Sequence, residues 1–441
     1  MCKKPLLVAA VWLILLGCKT ASAQSKTDLA LLIPNLYGPN GLIVNSEATL
    51  PNGQTHSAHF NSSFESDFSQ INTAIATQLL ALPLPSPASG FTYTFDPSLG
   101  VFTRSTQSFG PILTERAETI GKKKFNIGFS YQHFGFDSIG GIPLNNIPVV
   151  FTHDDAALLG GRQDLVTASN LIEANVDQFT SFETVGLTDR LDLSVAVPVI
   201  RTELNLSSRA ILQRIGTTDP KIHFFSDGEP GNPNYYGNQR TFTSFGSASG
   251  LGDVVVRLKG TIAKWEHSAL AVAVDVRAPT GDEKNLLGSG AVGIKPFAAY
   301  SYVYKRLSPH FNVGYQWNGK SVLAGDVATD VKGKLPNQFL YVVGADIGLT
   351  KWLTLVTDIL GQRVIDGTRV TQVTFDALTG GGTWPNVQFE KTASYTINNG
   401  ALGVKLNPGG NLLLNFNVLV KLDNGGLRDK VTPLLGIAYT F

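Results

Sequence analysis

Cysteine is nearly absent from this chain, whose only two cysteines are Cys2 and Cys18. The remainder of the sequence therefore offers no disulfide and no cysteine-based metal site. Charged residues are scarce at 16%, against roughly 25% in an average soluble domain. Lys and Arg number 35 and Asp and Glu 34, a balance that excludes the basic surface of a nucleic-acid-binding protein. No stretch beyond residue 23 contains 18 consecutive apolar residues, so we predict no transmembrane helix.

The first residues have the pattern of an export signal. Lys3 and Lys4 precede the apolar run "LLVAAVWLILLG", and Ala21-Ser22-Ala23 forms a small-residue cleavage site before Gln24. This order predicts a signal peptide over residues 1–23. An alternative remains open, because "LLGC" at 15–18 has the form of a lipobox and would make Cys18 an acylated N-terminus.

Residues 24–120 differ from the rest of the chain in the spacing of their apolar residues. The apolar spacing of Phe64, Phe68, Ile71, Ile75 and Leu79 predicts a short amphipathic helix that ends at the prolines from Pro83 onward. A turn signal at 96–100 predicts a hairpin over 91–106. Neither element has the pattern of a membrane strand, so we interpret 24–120 as a periplasmic segment or a plug of a barrel lumen.

From Lys122 onward apolar residues alternate with small or polar ones. In "KFNIGFSYQ", Phe125, Ile127, Phe129 and Tyr131 share one face, and similar runs recur to the C-terminus. Short connections alternate with longer polar ones, among them 137–171, 209–248 and 367–390, which is the rule for transmembrane barrels. We predict an all-β fold, a transmembrane antiparallel β-barrel of about 12 strands (12–14) over residues 121–441. The hairpin at 91–106 would supply the two extra strands, and a soluble β-sandwich is the alternative fold.

Aromatic residues are expected to form a girdle at the end of the barrel with short turns. Trp265 and Trp352 lie in such turns, and Tyr439 and Phe441 end the last strand. An export signal followed by a barrel predicts location in the bacterial outer membrane, in contact with its lipid. Outer-membrane barrels are similar to one another in ending on Phe with an aromatic residue two positions earlier. That resemblance implies that Phe441 and Tyr439 are the signal read by the barrel assembly machinery.

Ten charged residues fall on the strand faces opposite the apolar ones and are predicted to line the lumen. Charge on the lipid face would cost roughly 2–4 kcal/mol for Arg or Lys near the midplane. Two interpretations remain open for these side chains, a charged constriction or pairs that fill the lumen and fix strand register. The residues are Asp192, Asp253, Arg257, Lys259, Asp275, Arg277, Asp346, Asp358, Lys405 and Lys421.

Two glycine-rich motifs, "SGLGDVVVRLKG" (249–260) and "APTGDEKNLLGSG" (278–290), resemble those of an outer-membrane family associated with the meta-pathway of phenol degradation. The resemblance covers about 180–441. The stretch "SFGPILTERAETIGKKKFNIGFSYQ" is also similar to long-chain fatty-acid transporter barrels, in which the N-terminal segment forms a hatch. These resemblances imply a barrel that passes small hydrophobic or aromatic molecules.

The sequence also contains motifs that could indicate cofactor binding, metal binding or catalysis, but their surroundings do not support these functions. "GSGAVG" (288–293) matches a dinucleotide fingerprint but precedes a predicted strand, so we interpret it as a loop tip or bend. His56 with His59, and His153 with Asp154 and Asp155, are interpreted as solvated loop residues rather than metal ligands. No serine is paired with a histidine by any pattern. We predict no cofactor, no metal and no enzymatic activity.

The predicted function is passive uptake of a small hydrophobic or aromatic solute by a monomeric outer-membrane channel. The long loop 209–248 would collect the solute, and Phe224, Phe225, Tyr235 and Tyr236 are its candidate contacts. The alternative is a barrel that transports nothing and acts as a surface-binding or scaffold protein.

Overall fold

The computed structural model describes residues 28–38, 40–49, 58–61, 69–81, 93–96, 101–104, 108–153, 164–216, 218–226, 228–377 and 381–441. The predicted signal peptide with Cys18 lies outside these residues. So do His56, Asp154, Asp155 and the side chains of His59 and His153.

Short elements precede the barrel. In chain order they are α1 (Leu29–Leu32), β1 (Ile43–Val44), β2 (Ala58–Asn61), α2 (Ser69–Ala81), β3 (Tyr93–Asp96) and β4 (Val101–Arg104). The predicted helix and hairpin are both present, although Phe64 and Phe68 lie outside the described residues. Strands β3 and β4 pair only with each other in the described structure, so they add no strands to the barrel.

The remaining strands begin at Phe125. They are β5 (Phe125–Ile139), β6 (Ile142–Pro143), β7 (Ile147–His153), β8 (Leu165–Thr188), β9 (Leu191–Gln213), β10 (Gln239–Leu251), β11 (Val254–Lys264), β12 (Ser268–Ala278), β13 (Gly293–Tyr302), β14 (Leu307–Asn318), β15 (Lys320–Asp326), β16 (Val331–Lys334), β17 (Asn337–Gly348), β18 (Leu353–Asp376), β19 (Thr383–Gly409), β20 (Leu412–Lys421), β21 (Leu427–Asp429) and β22 (Val431–Thr440).

These strands form a closed antiparallel barrel of twelve, as predicted. Strands β10 and β11 both pair with β9 and act as one barrel strand interrupted at Gly252-Asp253. The barrel closes where β22 pairs with β5, with Ile437 opposite Phe129. Closure leaves no unpaired edge between the first and last strands.

The two faces of the barrel wall have opposite character. Large apolar side chains point outward, and Trp265 and Trp352 are 58% and 55% exposed at the end that has the short turns. Asp192, Ser194, Thr261 and Asp275 are buried on the inward face. An apolar exterior with an aromatic girdle and a polar interior is the arrangement of outer-membrane barrels, which places the protein in the bacterial outer membrane.

The strands extend well beyond the membrane at the end that carries the long loops. Strands β8 and β18 have 24 residues each, whereas a tilted strand needs about 9–11 to cross. The predicted loops 137–171, 209–248 and 367–390 are therefore too long, because their outer parts belong to paired strands. Polar side chains on both faces conceal these extensions in the sequence, since the backbone ladder does not require apolar side chains.

Helices α1 and α2 lie inside this loop end and pack against the extended strands. The Asn72 side chain donates to the carbonyl of Ala30 at 2.7 Å, and Thr73 donates to the carbonyl of Leu323 at 2.9 Å. Buried apolar residues of both helices, including Leu29 and Ile75, join one cluster with the inward faces of β8 and β9. The helices therefore cap the lumen from the loop end.

One prediction concerns packing inside the wall. Gly128 faces inward, and a Cβ there would overlap the ring of Phe182, which is 2% exposed. We expect Gly128→Ala to lower the free energy of unfolding by about 1–3 kcal/mol, because overpacking displaces a buried ring. Heat-modifiable migration in gels measures the shift. Gly409→Ala, where a Cβ meets nothing within 4 Å, is the control and should unfold like the wild type.

Candidate functional site

A segment without regular secondary structure crosses the lumen just before the first barrel strand. This inner segment comprises residues 108–121. An extended chain inside a barrel cannot satisfy its own backbone groups, so the wall must supply the partners. The backbone N–H groups of Glu115, Ala117 and Ile120 donate to the side chains of Asn312 (2.7 Å), Ser301 (2.9 Å) and Asp192 (3.0 Å).

The carbonyl groups of the inner segment are satisfied in the same way. Lys405, which is 1% exposed, donates to the carbonyls of Phe109 (3.2 Å) and Pro111 (2.5 Å). Lys259 donates to those of Arg116 (3.1 Å) and Glu118 (2.9 Å). Because these donors come from strands on different sides of the barrel, the segment is fastened across the lumen.

Glu115 is the electrostatic centre of this attachment. Its carboxylate is buried and lies 2.8 Å from Lys259 Nζ and 2.5 Å from Arg257 Nη1. Arg257 also makes a bidentate pair with Asp275, at 2.6 and 2.8 Å. Bidentate arginine–carboxylate contacts are strong and directional, so this network fixes the position of the inner segment on β11 and β12.

The structure divides the ten predicted lumen residues into three groups, all with inward side chains. Asp192, Lys259, Asp346, Asp358 and Lys405 hydrogen-bond to the inner segment. Asp253, Asp275 and Arg277 line a cavity next to that segment, as does Arg257, which also donates to Glu115 of the segment. Lys421 lies toward the loop end and pairs with Asp137 at 2.7 Å.

The two glycine-rich motifs meet at Asp253. The loop 279–292 folds into the barrel, with Leu286 and Ser289 buried. Asp253 Oδ1 accepts from the backbone of Gly281 (3.1 Å), and Asp253 Oδ2 accepts from the backbone (2.8 Å) and hydroxyl (2.6 Å) of Ser289. A side chain at Gly288 would overlap this carboxylate. The motifs therefore hold the loop against the inner wall.

This contact leads to a second prediction. Asp253→Ala removes the acceptor of three hydrogen bonds, and bonds to charged groups contribute roughly 1.5–3 kcal/mol each. We expect the loop 279–292 to detach from the wall and trypsin to cleave the folded protein faster after Lys284. Glu266→Ala, in an exposed turn at the opposite end, is the control. Equal cleavage rates in both variants would contradict the role of Asp253.

A cavity of about 230 Å³ lies between α2 and the inner segment. We call it the chamber. Its apolar lining includes Leu79 and Leu80 of α2, Leu113 of the inner segment, and Leu340 and Leu360 of the wall. The charged residues of β11 and β12 line the same cavity, so the chamber is apolar on one part and charged on another.

The aromatic residues predicted to contact a solute lie in the loop between β9 and β10. Phe224 and Phe225 are buried, at 3% and 2% exposure. Tyr235 and Tyr236 are half-buried and pack against Phe224, with ring centroids 5.5 and 4.9 Å away. The hydroxyl of Tyr236 donates to Glu47, a hydrogen bond that raises the pKa of Tyr236 to about 12. The two tyrosines thus present more surface than the two phenylalanines.

The sequence did not predict a series of hydrogen-bonded polar side chains at the turn end of the lumen. His310 lies in β14, buried, with Nδ1 2.8 Å from Ser301 Oγ and Nε2 2.5 Å from Asp346 Oδ1. Both partners reach the inner segment, since Ser301 accepts from Ala117 and Asp346 accepts from Ser108. The inward register of His310 on its strand was a usable signal, but the sequence gives no sign of what it contacts.

The described helices include none that is long and apolar enough to cross a membrane. Within the described residues, no cluster of three or more His, Cys, Asp or Glu side chains is placed to hold a metal ion.

One family model and several solved structures are similar to this chain. A family model described as "Putative MetA-pathway of phenol degradation" matches residues 159–401. A search of curated proteins found no match. Among solved structures, the chain is similar to the COG4313 outer membrane channel from Pseudomonas putida F1, with 14% identity, coverage of 74% of this chain and 98% of that chain, and a TM-score of 0.45.

Two further solved structures are similar to this chain. One is a Pseudomonas aeruginosa FadL homologue, with 9% identity, coverage of 72% and 88%, and a TM-score of 0.29. The other is the Ralstonia pickettii toluene transporter TbuX, with 13% identity, coverage of 73% and 90%, and a TM-score of 0.25.

Proposed function

Because this chain belongs to the family of the MetA-pathway of phenol degradation, we propose that it is an outer-membrane channel for passive uptake of small hydrophobic or aromatic compounds. The observation that carries the proposal is the chamber. It lies inside the lumen between the cap at the loop end and the inner segment at the turn end. A solute that crosses through the barrel would have to pass these two layers in turn.

The size and lining of the chamber support a small solute. An engineered apolar cavity of about 150 Å³ binds benzene, so 230 Å³ is sufficient for one substituted ring. Leucines from three different elements supply apolar contacts, while the charged wall provides polar ones. In this proposal the inner segment is the gate, and Tyr235 and Tyr236 on the loop between β9 and β10 meet the solute first.

The gate would open by displacement of the inner segment rather than by unfolding of the barrel. Its attachment consists of side-chain hydrogen bonds and ion pairs to the wall, whereas the wall itself is held by continuous backbone ladders. Twelve strands enclose more space than the eight whose side chains fill a barrel, and less than the 16–18 of an open porin. Passage of one small molecule at a time fits this intermediate width.

Uptake into liposomes tests the proposal. Full-length protein is reconstituted, and entry of toluene and of phenol is compared with entry of sucrose and with protein-free liposomes. We expect protein-dependent entry of the two aromatics and exclusion of sucrose. If no solute enters faster than in protein-free liposomes, transport is refuted.

A second function is favoured by one observation, the obstruction of the lumen by the inner segment, the cap and the loop 279–292. A barrel obstructed in this way could serve as a surface-binding or scaffold protein whose loops hold a partner. In that case no solute would enter liposomes faster than it enters protein-free ones, even after the inner segment is released.

A further inference from the structure

Arg277 of β12 points into the chamber with most of its hydrogen-bonding capacity unused. Its Nη2 donates to Asn318 at 2.7 Å, while its Nε has no hydrogen bond and lies 3.7 Å from Asp253. The nearest oxygen of Asp253 already accepts two hydrogen bonds from Ser289. The Arg277 side chain is only 11% exposed, so water does little to compensate.

The neighbouring strand leaves space for this guanidinium. Gly293 of β13 pairs with Arg277, and a Cβ there would overlap the guanidinium. Asn318, which accepts the hydrogen bond from Arg277, pairs with Gly293 on the next strand, β14. The guanidinium thus lies against the backbone of Gly293 and is held by Asn318, beside the cavity that Arg277 lines. A planar group fixed in this way is prepared for a planar, bidentate ligand.

The neighbouring cations Arg257 and Lys295 are paired with carboxylates more closely than Arg277 is. Asp275 is shared by Arg257 and by Lys295, whose Nζ lies 2.8 Å away. Glu115 is likewise shared by Arg257 and Lys259. On the opposite lining, Arg428 and Asp429 carry opposite charges. The charged cluster that lines the chamber comprises four cations, Arg257, Arg277, Lys295 and Arg428, and four carboxylates, Glu115, Asp253, Asp275 and Asp429, so its formal charges balance.

The same cavity offers an apolar surface for the rest of a ligand. Leu79, Leu113 and Leu360 come from α2, the inner segment and the wall. The ring of Phe297 lies beside the cations, 4.9 Å from the Arg257 guanidinium and 5.6 Å from Lys295 Nζ. A ligand with one anionic end and one apolar body would satisfy both parts of the chamber.

We propose that the chamber binds small aromatic carboxylates, with the carboxylate on Arg277 and the ring against the leucines. This inference rests on the proposed function and names the solute class that the channel selects. A neutral aromatic would leave the free N–H donors of the guanidinium without an acceptor, whereas a carboxylate would accept from them through charge-assisted hydrogen bonds. Lys295, at the edge of the cluster, would contribute long-range attraction.

Calorimetric titration of the detergent-solubilised full-length protein tests this proposal. Benzoate is the probe and benzamide, which has nearly the same shape without the charge, is the matched control. We expect benzoate to bind about 10-fold or more tightly than benzamide. Arg277→Met should abolish that preference, Arg277→Lys should retain part of it, and Arg209→Met, in the loop end of β9, should leave it unchanged.

Folding and transport are read separately from binding. Heat-modifiable migration shows which variants are folded, and Arg277→Lys keeps the test informative if Arg277→Met does not fold. Equal affinities for benzoate and benzamide, or a full preference in both Arg277 variants, would overturn the proposal. Entry of toluene into liposomes could still occur in that case, so the proposed function would stand. If benzoate binds as expected while no aromatic enters liposomes, the binding site stands and transport fails.

Discussion

Replacing Glu115 by alanine is expected to increase the ion conductance of the reconstituted barrel several-fold. Glu115 is the shared partner of Arg257 and Lys259, and all three side chains are close to fully buried. Removing one member of a buried ion pair costs roughly 3–5 kcal/mol, because the remaining charge is left without compensation. The two cations can be resolvated only if the inner segment moves away from β11 and water enters. Single-channel recording in planar bilayers measures the change.

The substitution should also alter ion selectivity. Without Glu115 the lumen keeps Arg257 and Lys259 with one carboxylate fewer, so the reversal potential in a salt gradient should shift toward anions. Glu266→Ala, which makes the same change in an exposed turn of the wall, is the control. Wild-type conductance in correctly folded Glu115→Ala protein would mean that Glu115 does not hold the inner segment in place.

Removal of Phe441 should greatly reduce the amount of protein inserted in the outer membrane. Phe441 donates its N–H to the carbonyl of Phe125 at 2.7 Å, and its ring lies 4.7 Å from that of Tyr439 and 5.9 Å from that of Phe125. The residue therefore belongs to the seam where the last strand meets the first. Its side chain is 49% exposed on the outer surface, where an assembly factor could recognise it during insertion.

The deletion separates assembly from export. We expect the truncated protein to be exported and its signal peptide removed, with little heat-modifiable protein in outer-membrane fractions. Phe441→Tyr keeps an aromatic ring at the seam and should assemble normally. Normal insertion of the truncated chain would show that the terminal residue is dispensable, and the proposed contact with the barrel assembly machinery would lose its basis.

The barrel could be predicted from the sequence because its determinants are local. Alternation in "HFNVGYQWN" places Phe311 and Trp317 outside and Asn312 and Gln316 inside, as the structure does. The period of two in a strand reports directly on which side faces lipid.

Strand ends were less predictable. Strand β10, with "QRTFTSFGSASG", lacks clear alternation at its outer part and still pairs with β9 along its whole length.

The arrangement inside the lumen could not be predicted, because it depends on contacts between distant residues. Lys405 donates to the carbonyl of Pro111 across 294 positions of sequence, and no pattern near Pro111 predicts this contact. The inner segment has no period, since it forms neither helix nor strand. The glycine-rich motifs indicated a family, but their physical role, Asp253 holding an inward loop, appears only when β11 and 279–292 are brought together.

Reversible locking of the inner segment tests the central claim most directly. Residues 28–441 contain no cysteine, and Ala117 of the inner segment lies in one buried cluster with Ala271 of β12. A protein with Ala117→Cys and Ala271→Cys can be crosslinked through its thiols and then released by a reductant, with the crosslink followed by mass spectrometry. Entry of toluene into liposomes is measured before and after release. We expect entry faster than in protein-free liposomes only after release; equal entry in both states, or no entry above that of protein-free liposomes in either, would contradict the role of the inner segment as the gate.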